Sequence, residues 1–197
     1  MKTNFFIAAL SVLLFSSCEQ KEMKISQSDY SVVAELNDVS PAYILKNDEG
    51  KVELKKNSLI GNTHWVLSVE RNLTLEDIAP SLQKLTEKKF KVGGMHEDTK
   101  DIYLVYSDTV HKQNAYVKIP FTSIATDEPP VYELAAGVQS LHLSTIDEAK
   151  SVSNSNAVHT YLLSLDKKMS TATFANILIE LEKKQIAKNI NGEVYVY

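Results

Sequence analysis

The feature that most constrains this chain is a segment that occurs twice. Val66 to Thr74 (VLSVERNLT) is matched by Leu162 to Ser170 (LLSLDKKMS). Ser68 meets Ser164, Glu70 meets Asp166, Arg71 meets Lys167 and Thr74 meets Ser170, each pair 96 residues apart as Ser68 is from Ser164. The match runs on through Ile78-Ala79 and Phe174-Ala175, Leu82 and Leu178, Leu85 and Leu181, and Lys88 and Lys184. A glycine-containing turn follows, then an aromatic stretch ending Val105-Tyr106 or Val196-Tyr197. A repeat of this kind demands a fold in which one supersecondary unit is used twice.

Each copy reads as strand, cap, helix, turn, strand. Val66 to Val69 and Tyr161 to Leu165 are apolar runs of strand length. Thr74 and Ser170 are suited to begin helices, because a hydroxyl oxygen accepts from the unpaired N–H groups of a first turn. Asp77, three residues after Thr74, completes a box-like cap. Leu75, Ile78, Ala79, Leu82 and Leu85 fall on one helical face, as do Phe174, Ala175, Leu178 and Leu181. Pro80 is tolerated only near a helix start, so the first helix is expected to begin nearer Asp77. Gly93-Gly94 and Asn191-Gly192 suit the chain reversals. Strand–helix–strand units of this length place their strands parallel.

The rest reads as hairpins. Tyr43 to Lys46 and Lys51 to Lys55 flank the turn Asn47-Asp48-Glu49-Gly50, and Ile102 to Tyr106 is matched to Ala115 to Phe121. Val138 to Leu143 alternates apolar and polar residues, and Ser151 to Asn156 is a polar loop. The expected class is α+β, built of two related strand–helix–strand subdomains with additional β hairpins, an internal duplication. The expected organisation is a signal segment 1–17, a flexible tether 18–28, a first subdomain 29–125, a linker 126–130 and a second subdomain 131–197. Val194 to Tyr197 is expected at a sheet edge, open to pairing with another chain.

The beginning of the chain speaks of location. Lys2 is followed by an apolar run, Phe5 to Phe15, then Ser16-Ser17 and Cys18, the single cysteine. The run is shorter than the about 20 residues a spanning helix needs, and its layout is that of an export signal. It resembles the signal peptide of bacterial lipoproteins. That resemblance implies cleavage before Cys18 and a lipid on its thiol, in a cell envelope, with the outer membrane the expected address. It departs from the pattern in having Phe15, with Leu14 one step early, where leucine usually stands. Without residues 1–17 the formal charge is −5, and no Lys/Arg cluster marks a nucleic-acid partner. Membrane attachment is therefore expected through the lipid. An envelope protein or the cell wall is the expected partner.

Leu165-Asp166-Lys167-Lys168-Met169, and less closely Val69-Glu70-Arg71-Asn72-Leu73, resemble the periplasmic domain of the ExbD/TolR family of biopolymer-transport proteins. That family keeps a transmembrane helix with a working aspartate. Phe5 to Phe15 contains no acidic residue, so the resemblance implies a binding domain and no proton-driven role.

Chemistry-bearing residues are sparse. His64, His96, His111, His142 and His159 show no paired metal-ligand spacing. His96-Glu97-Asp98 with Asp101 is the densest polar group. Glu70 and Asp166 form the one carboxylate pair the repeat would bring into a symmetric cleft. Trp65 and Tyr103, Tyr106, Tyr116, Tyr132, Tyr195 and Tyr197 supply aromatic surface for sheet packing or a ligand. Asp108-Thr109-Val110 resembles the O-glycosylation signal of Bacteroidota envelope proteins, which implies Thr109 as the modified residue on an exposed turn. The expectation is a lipid-anchored envelope binding or structural module, not an enzyme, with no cofactor and no metal. A hydrolase using Glu70 or Asp166, or a transport-complex subunit, are the alternatives.

Overall fold

A computed structural model describes residues 23–90, 100–130, 134–154 and 158–197. The first unit contains β1 (Ser26–Ser28), β2 (Val39–Lys46), β3 (Val52–Lys56), β4 (His64–Val69), α1 (Leu75–Phe90), β5 (Ile102–Asp108) and β6 (Gln113–Lys118). The second contains β7 (Ser123–Ala125), β8 (Val138–Leu143), α2 (Ile146–Ser151), β9 (Thr160–Leu165), α3 (Thr171–Lys183) and β10 (Glu193–Val196). The class is α+β, as the alternation of apolar runs and capped helical stretches implies.

Strands β2, β4 and β5 run parallel and side by side, with β3 antiparallel to β2 and β6 antiparallel to β5. The other sheet is wholly parallel, in the order β7-β10-β9-β8. Each helix joins neighbouring parallel strands, α1 between β4 and β5 and α3 between β9 and β10. Yet α1 lies against β7 and β10, and α3 against β1 and β6. The apolar core is accordingly one continuous cluster drawn from both units. Helix α3 buries Phe174, Ala175, Ile177, Leu178, Ile179 and Leu181. At 100° per residue these cover more than half its circumference, as suits a helix enclosed by other layers.

The two units cap one another. The N–H groups of Leu75 and Glu76 donate to the carbonyls of Met169 (2.9 Å) and Lys167 (2.8 Å). Those of Thr171 and Ala172 donate to Leu73 (2.7 Å) and Arg71 (3.1 Å). Thr74 and Ser170 form an antiparallel bridge at the centre. First-turn N–H groups have no partner within their own helix, and here the other unit's backbone supplies one. The side-chain caps form as well. Thr74 Oγ1 accepts from Asp77 N (3.2 Å) while Asp77 Oδ2 accepts from Thr74 N (3.0 Å). Ser170 Oγ accepts from Thr173 N (3.1 Å).

Helix α1 begins at Leu75, not near Asp77, and carries Pro80 in its second turn. The start agrees with the local Thr74–Asp77 capping box, and the second unit's carbonyls reinforce it against the later start that Pro80 suggests.

The hairpin turn forms as its residues demand. Asn47 Oδ1 accepts from the N–H groups of Glu49 (3.0 Å) and Lys51 (2.9 Å), and Gly50 adopts φ +78°. In contrast, Val138 to Leu143 belongs to no hairpin. It lies parallel to β9 and is linked to it through α2, whose Thr145–Glu148 capping box was not foreseen.

Three further expectations change. The tether does not extend to Ser28. Lys24 O accepts from Arg71 N (2.8 Å), and β1 pairs with Tyr106 to Asp108 of β5, beyond the point where β4 leaves it. Strand β10 is not an edge, because it sits between β7 and β9. The edge places of that sheet belong to β7 and β8. The closing strands are also one residue out of the alignment read from their ends. Leu67 is in register with Leu104 and Ser164 with Tyr195, so Tyr195 stands where Val105 does. A one-residue slip exchanges the two faces of a strand. Tyr106 and Val196 both point into the core, at 0% and 5% exposure, while Tyr195 and Tyr197 face away.

Candidate functional site

The parallel sheet positions the site. Its inner face is apolar, with Leu141, Leu143, Tyr161, Leu163, Leu165, Val194 and Val196 buried. Its outer face carries Ser140, His142, Leu162, Ser164, Tyr195 and Tyr197, alternating with those residues along each strand. Parallel sheets are ordinarily covered on both faces. Here β7 and β8 are opposite edges, so the chain joining them must cross the full width of the sheet. The core occupies the inner side, and Pro129, Pro130 and Leu134 of the crossing lie over the outer one.

Between them lies a pocket of about 230 Å³. Its sheet side is formed by Ser140, Leu162, Ser164 and Tyr195, and its cover by Pro129, Pro130 and Leu134. The walls are mostly apolar and the polar groups are hydroxyls. Tyr195 Oη donates to Glu193 Oε2 (2.7 Å). Ser164, 3% exposed, is hydrogen-bonded through Oγ to His142 Nδ1 (3.1 Å), and His142 Nε2 is 3.3 Å from Ser144 Oγ. The His142 ring packs against Tyr197, with centroids 5.4 Å apart. Glu148, beside this group, is lowered from the ordinary carboxylate range by the backbone N–H groups of Ser144 and Thr145, which point at it. Such a pocket takes a ligand with apolar surface and a few hydrogen-bonding groups.

Most residues singled out in the sequence lie elsewhere. Cys18 and residues 96–98 fall outside the described residues, as does Tyr132. Glu70 and Asp166 are not brought into contact. Glu70 Oε2 accepts from Lys46 N (3.1 Å) and Asp166 Oδ1 from Lys168 N (2.8 Å). Both acidic residues are backbone anchors at strand ends. Trp65 is buried, its Nε1–H donating to Ile60 O (2.8 Å). Lys89 lies over that ring at 4.8 Å and donates to the carbonyls of Gly61 (2.8 Å) and Thr63 (2.6 Å). Burial pushes its ammonium down to about 8. Asp101 pairs with Lys118 (2.7 Å).

Thr109 is exposed in the turn between β5 and β6, and its hydroxyl donates to Ser28 O (3.2 Å). Asp108, which precedes it, has a fully buried side chain. Its carboxylate accepts from the Ser31 hydroxyl, from the N–H groups of Val110 (2.8 Å) and His111 (2.9 Å), and pairs with His111 Nδ1 (2.7 Å). These donors, the Ser31 hydroxyl first, hold it well below the usual carboxylate range. In the folded protein the threonine of the Asp108-Thr109-Val110 signal is presented, while the aspartate is enclosed.

Among the described residues no group of three or more His, Cys, Asp or Glu side chains is arranged to hold a metal ion. No described helix is long and apolar enough to cross a membrane. No protein-family model, curated protein or solved structure matches the chain.

Reading the residues one by one missed the pocket. Pro129-Pro130 has the composition of a linker, and Ser140, Leu162, Ser164 and Tyr195 are unremarkable strand residues. The available signal was the alternation in β8 and β9, which leaves a polar face on a parallel sheet.

Proposed function

We propose that this chain is a lipid-anchored binding or structural module of the cell envelope. Its location rests on Met1 to Cys18, the export-type segment ending in the single cysteine. Its work rests on one observation, the covered pocket on the outer face of the parallel sheet. Growth on labelled fatty acid tests the anchor, with label expected on the wild type and not on Cys18→Ala. A photo-reactive residue in place of Ser140, inside the pocket, tests binding in cells. A defined adduct from position 140, and none from Lys55 on β3, is the expected result. Equal adducts from both, or none, would overturn the binding reading.

The enzyme alternative has a different basis from the one its carboxylates suggested. Ser164 and His142 are hydrogen-bonded at the pocket, so in a hydrolase Ser164 would attack and His142 would take its proton. Purified mature protein that hydrolyses an acyl ester, and loses this activity in Ser164→Ala, would establish that reading.

A further inference from the structure

We infer that the folded body stands on the membrane on the end where both long helices begin, so that lipid headgroups meet Arg71, Asn72 and Lys168. The inference rests on the lipid-anchor reading; the structure supplies the orientation. The chain is stitched into the body almost as soon as it leaves its anchor. Lys24 O accepts from Arg71 N (2.8 Å), Ser26 Oγ donates to Thr171 O (3.3 Å), Asn176 Nδ2 donates to Gln27 O (3.1 Å) and Thr109 N donates to Ser28 O (2.9 Å). These partners come from the turn after β4, from α3 and from the β5–β6 turn, so β1 cannot swing free while the fold is intact. Lys24 thus lies at the C-terminal ends of β4 and β5, beside the bridge between Thr74 and Ser170.

Length then decides orientation. Cys18 and Lys24 are separated by six chain steps, which span at most about 20 Å when fully extended. The sixteen residues of α1 place its far end about 24 Å away along the body. The far end carries Phe90, the start of β4 and the end of α3. The second unit has the same polarity, because Phe90 and Lys84 lie beside Thr122 and Ser123 at the start of β7. A tether shorter than the body cannot pass around it. The far end therefore cannot be the one that rests on the headgroups, and the anchored end is left to meet them. Charge does not set this. Lys24, Arg71, Lys167 and Lys168 share that end with Glu70, Glu76 and Asp166. The pocket, on the flank of a sheet whose strands run along the body, opens sideways.

The test uses the full-length acylated protein in phosphatidylcholine vesicles containing a headgroup spin-labelled lipid. Cys18 is the single cysteine, and acylation occupies its thiol, so an added cysteine takes a fluorophore alone. Asn72→Cys and Lys168→Cys mark the helix-start end, and Asn62→Cys and Lys188→Cys the far end; all four positions are exposed. Labels at 72 and 168 should be quenched several times more than those at 62 and 188. Equal quenching at both ends, or stronger quenching at the far end, would overturn the orientation. Inserting twelve Gly/Ser residues between Glu22 and Met23 should abolish the difference. A difference that survives would overturn tether length as its cause. Protein that carries no acyl label and does not float with vesicles would instead overturn the anchor reading, and the orientation with it.

Discussion

Thr74 and Ser170 face each other in an antiparallel bridge, and each is the residue before a helix. Around that bridge the hydrogen bonds come in matched pairs. Leu75 N to Met169 O is answered by Thr171 N to Leu73 O, and Glu76 N to Lys167 O by Ala172 N to Arg71 O. The same displacement relates the repeated sequences, so the local pseudo-symmetry and the sequence repeat coincide. The symmetry ends at β1, which takes the place beside the end of β5 that β9, the counterpart of β4, keeps beside the end of β10.

Neither unit is complete alone. A fragment spanning 134–197 would leave the N–H groups of Thr171 and Ala172 without acceptors and expose the apolar surface of α3. It is expected to be unfolded by circular dichroism, and the full chain to unfold in urea in a single transition. A fragment with native-like helicity and dispersed amide resonances would show instead that the units fold separately. Within the full chain, Thr171→Val removes the hydroxyl donated to Leu73 O (2.9 Å). It should cost about 1 kcal/mol, read from the urea midpoint.

Pro80 is exposed, so its cost in α1 is a backbone cost. Its missing N–H leaves Glu76 O without the bond a regular helix would make there, and its ring crowds the preceding turn. Pro80→Ala should raise stability by about 2 kcal/mol, once the looser unfolded chain is set against the repaired helix. No rise in the denaturation midpoint would mean that α1 is already bent to fit proline.

Lys89 makes stability depend on pH in an unusual direction. Its folded value of about 8 lies below the ordinary 10.5. Between these values the unfolded chain binds more protons, so raising the pH favours the folded state. This contribution is fully present above the ordinary value and is lost as pH falls through about 8. Tyr103 and Tyr106 are raised by burial and oppose the trend at higher pH, so the clean window is pH 8 to about 10. The stability difference between wild type and Lys89→Met should shift in the wild type's favour across that window. A difference that stays flat would show that the ammonium is not desolvated.

Asp108 contributes with the opposite dependence. Its folded value is depressed, so its stabilisation is complete above the usual carboxylate range and is lost as acid approaches the folded value. Asp108→Asn cannot pair with His111 and Ser31 as the charged group does. It should be less stable than wild type at neutral pH, and the two should converge in acid. Parallel acid-unfolding curves would show that the turn does not depend on the charge.

The sequence by itself determined the local pieces: two capped helices, the strands before them, the Asn47 turn and the parallel sense of the crossovers. These depend on neighbours within a few residues. A hydroxyl three positions before a free N–H, or an apolar side chain every third or fourth residue, carries its own physical instruction. Tertiary structure decided between the start marked by Thr74 and the later one suggested by Pro80, because carbonyls of the second unit accept from Leu75 N and Glu76 N. It also set the register of β10, where one residue moves Tyr195 and Tyr197 from core to surface, and the end of the tether, where β1 is captured by β5. The pocket belongs to the same class. It exists because β7 and β8 stand at opposite edges of one sheet, forcing Pro129 and Pro130 across a face bearing Ser164 and His142. Strand order is a long-range property, and no stretch of neighbouring residues encodes it.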